Sequence, residues 1–259
     1  MGFLKNDQEY QDLKRSSLIL VSCISLLRKT IKPGMNAKEL DDLAYQFIKD
    51  NGGEPAFLGY DGFRYTVCTS VNEEVAHGLS NEQKVFQEGS IVNLDIGVIV
   101  NGMFSDSGYT VALGEISKDS QKLLDVTKEA LAAGIAQVKS GVKTGTIGNA
   151  IDQVAQKNGF GNVFELGGHG VGHAVHEEPH IPNQGIPGRG TTLFENQVIA
   201  IEPLFTLGEG AVIFDQTRED GWTVKTQDGS WCAQFEHTII VRKKGAEVLT
   251  DIPESELIT

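Results

Sequence analysis

Apolar residues recur at helical spacing in two similar segments of the chain. KPGMNAKELDDLAYQFIKDNGG begins at Lys32 and carries Leu40, Leu43 and Phe47. KSGVKTGTIGNAIDQVAQKNGF begins at Lys139 and carries Ile147, Ile151 and Val154. That period predicts an amphipathic helix in each, and the Asn-Gly that follows each row is a helix stop. Lys32, Gly34 and Gly52 fall on Lys139, Gly141 and Gly159, an offset of 107 residues. Each segment follows a second helical pattern, over residues 9–30 and 117–139. The same offset lays SIVNLDIG (90–97) on QVIAIEPL (197–204). Both are short, β-branched and nearly continuous apolar runs, which is how buried strands read. A further strand pattern is WCAQFEHTIIV, and the Asn-Gly at 101–102 between β-rich runs predicts a tight hairpin. An offset that holds from a helix start to a strand marks a duplicated unit. The expected fold is α+β: a helix-helix-sheet unit repeated about a pseudo-two-fold axis, its two sheets joined, within one domain spanning 1–259.

Carboxylates interrupt the strand-like runs. Asp95 (NLDIG) lands on Glu202 (AIEPL) under the repeat offset, while Asp106 (FSDSG) and Glu236 (QFEHT) sit in the other two strand patterns. The hairpin turn between Asp95 and Asp106 sets both at a similar height on adjacent strands. A single acid is ordinarily a surface group or half of an ion pair. Four in apolar strands, with few arginines or lysines nearby, need another source of positive charge, because burying an unpaired carboxylate is expensive. Four carboxylates and one imidazole suit a pair of divalent cations about 3.5–4 Å apart, whose mutual repulsion bridging carboxylates screen. Oxygen-rich ligation with one nitrogen favours Mn, Fe(II), Co or Zn and argues against a thiolate site.

Composition narrows the choice of partners. The 259 residues are 40% apolar, enough for a sizeable core. A formal net charge of −13 argues against DNA or an anionic membrane as the main partner. Three cysteines, Cys23, Cys68 and Cys232, have no C-x-x-C spacing and suit a reducing compartment. The N-terminus lacks a signal-peptide core, and the most apolar stretch, 17–27, is about half the length of a membrane span. A cytoplasmic enzyme is the expectation.

Four of the six histidines, His169, His173, His176 and His180, fall within FELGGHGVGHAVHEEPH. HEEPH satisfies the letter of the zincin motif H-E-x-x-H, which places two histidines one helical turn apart. Pro179 stands between them, and proline inside a helix costs about 3 kcal/mol or more. The flanks GGHGVGHAV and IPNQGIPGRG are turn-rich. The motif therefore lacks its structural context, and the same glycine run has no G-x-G-x-x-G opening a helix.

Six matches in order, VNEEVAHG (71–78), NLDIGVIVNGMFSDSG (93–108), GGHGVGHAVHEEP (167–179), IAIEPL (199–204), GWTVKT (221–226) and AQFEHTIIV (233–241), resemble the type I methionine aminopeptidases of the pita-bread metallopeptidase family. They span nearly the whole chain. The resemblance implies a central curved antiparallel sheet with helices on its outer face. It further implies removal of an initiator methionine when the next residue is small, by hydroxide activated between two metal ions. Asp95 would chelate one ion, Asp106 and Glu236 would bridge, and His169 and Glu202 would complete the other. Glu202 would also relay a proton, while His77 and His176 would contact substrate and stabilise the tetrahedral intermediate. The methionine pocket would be Phe57, Tyr60, Phe63, Cys68, Val175 and Trp222. Phe57 stands where bacterial type I enzymes often carry Cys, and Val175 where they often carry Phe, so the pocket is expected to be reshaped at similar volume. His173, His180 and His237 are left as loop or packing residues. Implied partners are peptides and nascent chains with an N-terminal methionine, and a transient contact with the ribosome, for a monomer. Two other readings compete: an Xaa-Pro peptidase on the same fold, usually with a large extra N-terminal domain, and a metal-free binding module, which would have lost a ligand.

Overall fold

The computed structural model describes residues 2–214 and 221–258. In chain order the first half builds α1 (Asp7–Thr30), α2 (Ala37–Asp50), β1 (Val67–Val71), β2 (Glu74–Ala76), β3 (Ile91–Val100) and β4 (Met103–Ala112). The second half builds α3 (Lys118–Ile135), α4 (Thr144–Asn158), β5 (Gly167–Gly170), β6 (Glu177–Pro182), β7 (Val198–Ile201) and β8 (Leu204–Thr206). It ends with β9 (Val224–Thr226), β10 (Cys232–Gln234), β11 (His237–Arg242) and β12 (Gly245–Val248).

Three of the four helices, α1, α2 and α3, start at a side-chain cap. Asn6 accepts from the Glu9 N–H, Asn36 and Glu39 close a reciprocal capping box, and Ser117 accepts from the Ser120 N–H. The repeat offset carries the start of α2 onto the start of α4. Gly52 and Gly159, just past their ends, both take left-handed backbone with φ of 80° and 74°. One expected boundary moves: α3 stops at Ile135, short of Lys139. There the Gln137 and Val138 N–H groups bond back to Gly134 and Ile135, tightening the last turn and burying Val138.

β3 alternates cleanly. Val92, Leu94, Ile96 and Val98 pack under Leu20, Leu27, Leu40 and Ile48 of α1 and α2, which leaves Asn93, Asp95 and Gly97 on the opposite face. The second half repeats this, with Ile199, Ile201, Ile239 and Val241 under Leu123, Leu131, Ile147 and Ile151 of α3 and α4. β3 and β4 join through Asn101 and Gly102, both at positive φ (49° and 81°), in the two-residue turn expected there. β1 pairs on the other edge of β3, and a second antiparallel sheet runs β12-β11-β7-β5-β6.

The halves meet where β4 lies beside the chain that runs from β10 into β11. Tyr109 bridges Phe235, the Glu236 N–H donates to the Gly108 carbonyl at 2.9 Å, and the Ser107 hydroxyl donates to the Glu236 carbonyl at 2.6 Å. Thr238 accepts from the Asp106 N–H and donates to the Asp106 carbonyl. The seam is thus a ladder in which hydroxyls replace missing backbone partners. Helices lie on one face of the joined sheets, and the acids lie on the other. Among the described residues no helix is long and apolar enough to cross a membrane.

Candidate metal centre and cleft

Strand register brings the acids together. Asp95 pairs with Gly108 and Asp106 with Gly97 on β3–β4, so both acids share one face, two residues apart along the ladder. Glu202 and Glu236 each stand one position beyond the Ile201–His237 pair, which sets them opposite one another at the same seam. His169 comes from β5. Its Nε2 lies 3.8 Å from Asp106 Oδ2, 3.9 Å from Glu202 Oε1 and 3.9 Å from Glu236 Oε1. Donor atoms of Asp106, His169 and Glu236 all fall within 4.8 Å of one another.

These gaps are too long for hydrogen bonds. Two donors each about 2.1 Å from a shared cation can stand no more than about 4.2 Å apart, and the observed spacing meets that limit. The His169 Nδ1–H donates to the Gly170 carbonyl at 2.9 Å, which leaves Nε2 with its lone pair facing the acids. Burial, together with the nearby His176, holds the His169 imidazole down at about 3, so it is neutral and forms no ion pair with the carboxylates.

Packed together, the acids resist ionising. Burial first, then mutual repulsion, pushes Glu202 up to about 8 and sets Asp106 and Glu236 well above the carboxylate range. Burial alone pushes Asp95 up to about 7 against a hydrogen bond with Asp106. Asp95 Oδ1, Asp106 Oδ1 and Glu236 Oε1 are buried with no hydrogen-bond partner among the described residues. Orphaned buried oxygens, four acids and one neutral imidazole fit divalent cations, and the residues present match that group.

Two supporting residues have a weaker sequence signal. Gln234 donates from Nε2 to Glu202 (2.9 Å) and Glu236 (3.5 Å), clamping the two acids from one side. It stands two residues before Glu236 on an alternating strand, and that spacing is the only hint of its role. Gly108 faces the same acids, and a Cβ there would come within 3.4 Å of Glu236 Oε2.

The acids and His169 form the floor of one cleft, and its walls are Phe57, Tyr60, Phe63, Cys68, His77, Val175, His176 and Trp222. Every residue singled out above as a ligand, catalytic group or pocket residue therefore lines one cavity. Trp222 packs edge-on against Phe63 and His77, at 5.2 and 6.1 Å between ring centroids. The Tyr60 hydroxyl lies 3.1 Å from His176 Nδ1, and the His176 ring stands edge-on to His169 at 4.5 Å. Burial holds His77 down at about 4 and lowers His176, so both rings are neutral near pH 7. His77 adopts a left-handed backbone, φ 56°, unusual for a residue with a side chain.

The other three histidines lie apart. His173 Nε2 is 3.2 Å from Glu9 Oε2, and the His237 Nδ1 is 2.9 Å from the Thr250 hydroxyl. His180 is exposed on β6. HEEPH runs into an extended strand, not a helix, so His176 and His180 do not form the pair that a zincin requires.

Residues 11–243 match the profile of metallopeptidase family M24. Methionine aminopeptidase 1 of Bacillus subtilis is 42% identical over 252 residues, covering 97% of this chain and 100% of that protein. The crystal structure of a methionine aminopeptidase from Thermotoga maritima superposes with a TM-score of 0.93 at 39% identity, covering 97% of this chain and 100% of that one. A prolidase from Pyrococcus furiosus shares the fold at 21% identity (TM-score 0.78), but the match covers only 66% of that longer chain. The chain belongs to metallopeptidase family M24: it is a metal-dependent hydrolase with the pita-bread fold.

Proposed function

We propose that this chain removes an N-terminal methionine from peptides and nascent chains whose second residue is small, with two divalent ions held by Asp95, Asp106, His169, Glu202 and Glu236. The observation that carries the reading is the convergence of acids from both halves of the fold with His169 beneath one apolar cleft. Such a site needs both halves, so residues 1–259 are taken as one catalytic domain. Asp106 and Glu236, one on each side of the seam, would hold the ions from both halves of the fold at once. When bound, divalent ions supply Lewis-acid polarisation of the scissile carbonyl and a nucleophilic hydroxide at neutral pH.

The chain's own residues do the rest. Phe57, Tyr60, Phe63, Cys68, Val175 and Trp222 enclose a flexible apolar side chain, and an aromatic and sulfur lining suits a thioether. Phe57 lies against Gly97, where any Cβ would reach its ring at 2.7 Å, so the bulk at 57 is accommodated by glycine on β3. Glu202, the acid whose oxygen is held by Gln234, takes a proton from the attacking water and delivers it to the leaving amine. The Tyr60 hydroxyl donates to His176 Nδ1, leaving the His176 Nε2–H to donate to the carbonyl oxygen as charge develops there. His77, neutral and wedged against Trp222, donates from the other wall.

The test strips the protein with chelator, restores Mn(II), Co(II) or Fe(II), and offers Met-Ala-Ser beside an Xaa-Pro peptide. Methionine release that depends on metal is the expected result. Proline-linked cleavage, or no turnover with no metal retained, contradicts it.

A further inference from the structure

On the helical side of the sheet, behind the metal centre, lies a larger cavity of about 590 Å³ between α1 and α3. That volume falls in the range of small-molecule sites, roughly 300–1,000 Å³. Val21 and Ile24 of α1 form one wall, Leu131 and Ile135 of α3 the other, with Tyr109 and Phe235 of the seam beneath.

Two cations close one end. Arg28 comes from α1 and Lys128 from α3, and both reach the ring of Tyr109, at 3.8 and 5.4 Å from its centroid. Lys128 also lies 4.9 Å from the Phe235 ring. Among the described residues neither cation has an ion pair or side-chain hydrogen bond. Arg28 sits in the last turn of α1, where a cation offsets the helix dipole. Lys128 sits mid-helix and has no such reason to be there. Two positive heads drawn to one ring, unpaired, in a chain of net charge −13, form a local basic spot against the overall field. The lining holds two acids. Glu236 turns its carboxylate through the sheet to the metal centre, and Asp251 stands beside His237 and Thr250.

From the cations, the α1 row runs backwards through Ile24 to Val21, and the α3 row runs forwards through Leu131 to Ile135. The two helical walls are therefore cationic at one end and mainly apolar beyond it, while Ser25, Ser107, His237, Thr250 and Asp251 also line the cavity. We propose that it is a binding site for an amphipathic monoanion: a carboxylate or sulfonate head between Arg28 and Lys128, with an apolar body between the two helices. The sheet separates it from the catalytic cleft, and among the described residues Glu236 alone lines both. The ligand and a peptide substrate bind without competing.

The experiment uses the metal-loaded protein and 8-anilinonaphthalene-1-sulfonate, followed by fluorescence. One saturable site is expected, displaced by decanoate but not by 1-decanol or inorganic phosphate at the same concentrations. Arg28→Glu with Lys128→Glu should weaken binding by roughly tenfold or more, since both charge-assisted contacts to the head are lost. Ala132→Trp, an exposed position on the lining, should weaken it by filling the cavity without disturbing the core. Lys157→Glu, away from the cavity, should leave it unchanged. Absence of saturable binding, displacement by decanol as effective as by decanoate, or indifference to both cavity variants overturns the proposal.

Discussion

At the scale of the residue, the pressing fact is four carboxylates gathered in one largely buried cluster with, among the described residues, no cation partner of the protein's own. Burial makes each of them a costly anion, and His169 cannot relieve them because it is itself held neutral. Such a cluster persists because something else supplies charge. Glu202 both faces that charge and takes a hydrogen bond from Gln234, so it is the acid best placed to move a proton. Glu202→Ala should lower kcat by at least about 10³ with the protein still folded, read by steady-state release of methionine. His173→Ala should keep most of the activity, because His173 contacts Glu9 and Glu177 outside the cleft. A folded, metal-binding His173 variant that is dead would mean the histidines were divided wrongly. All four acids were legible because charge inside an apolar strand is conspicuous. Gln234 was not, since a neutral amide on a strand looks like any polar position until its partner Glu202, 32 residues away, is seen.

At the scale of the element, local chemistry and packing divide the work. The four helices and the Asn101–Gly102 turn were legible because period, caps and positive-φ residues act over a few positions. Asn36→Ala removes half of a reciprocal capping box and should cost about 1 kcal/mol, measured as a shift in denaturant midpoint without a change in slope. Gly102→Val should cost about 1–2 kcal/mol or more, because a β-branched residue must take φ near 81° in a turn that sets the Asp95–Asp106 register. The end of α3 and the seam were not legible. α3 stops early because Val138 has a tertiary place to bury. The seam pairs residues more than 120 apart through hydroxyls such as Thr110, which accepts from the Gln234 N–H and donates to its carbonyl.

At the scale of the whole molecule, duplication makes one site from two sheets: each half contributes acids, and neither half holds the set alone. That arrangement has a consequence for stability. In ion-free protein Asp95 and Glu202 rise to about 7 and about 8 from ordinary values of 3.8 and 4.5. As pH climbs, the unfolded chain ionises these groups first, so the stripped fold loses stability from about pH 4 through about pH 8. Ions bound there cancel the penalty. The Tm of metal-loaded protein should therefore exceed that of stripped protein by a margin that widens from pH 5 to pH 8, and a margin that stays constant or narrows would contradict this. The central claim, that both halves converge on a pair of ions, is tested most directly by anomalous diffraction at the manganese edge on crystals grown with Mn(II). Two peaks are expected, Asp106 and Glu236 touching both, Asp95 on one and His169 and Glu202 on the other. Full methionine-releasing activity in protein whose crystals show no peak at these five residues would contradict it.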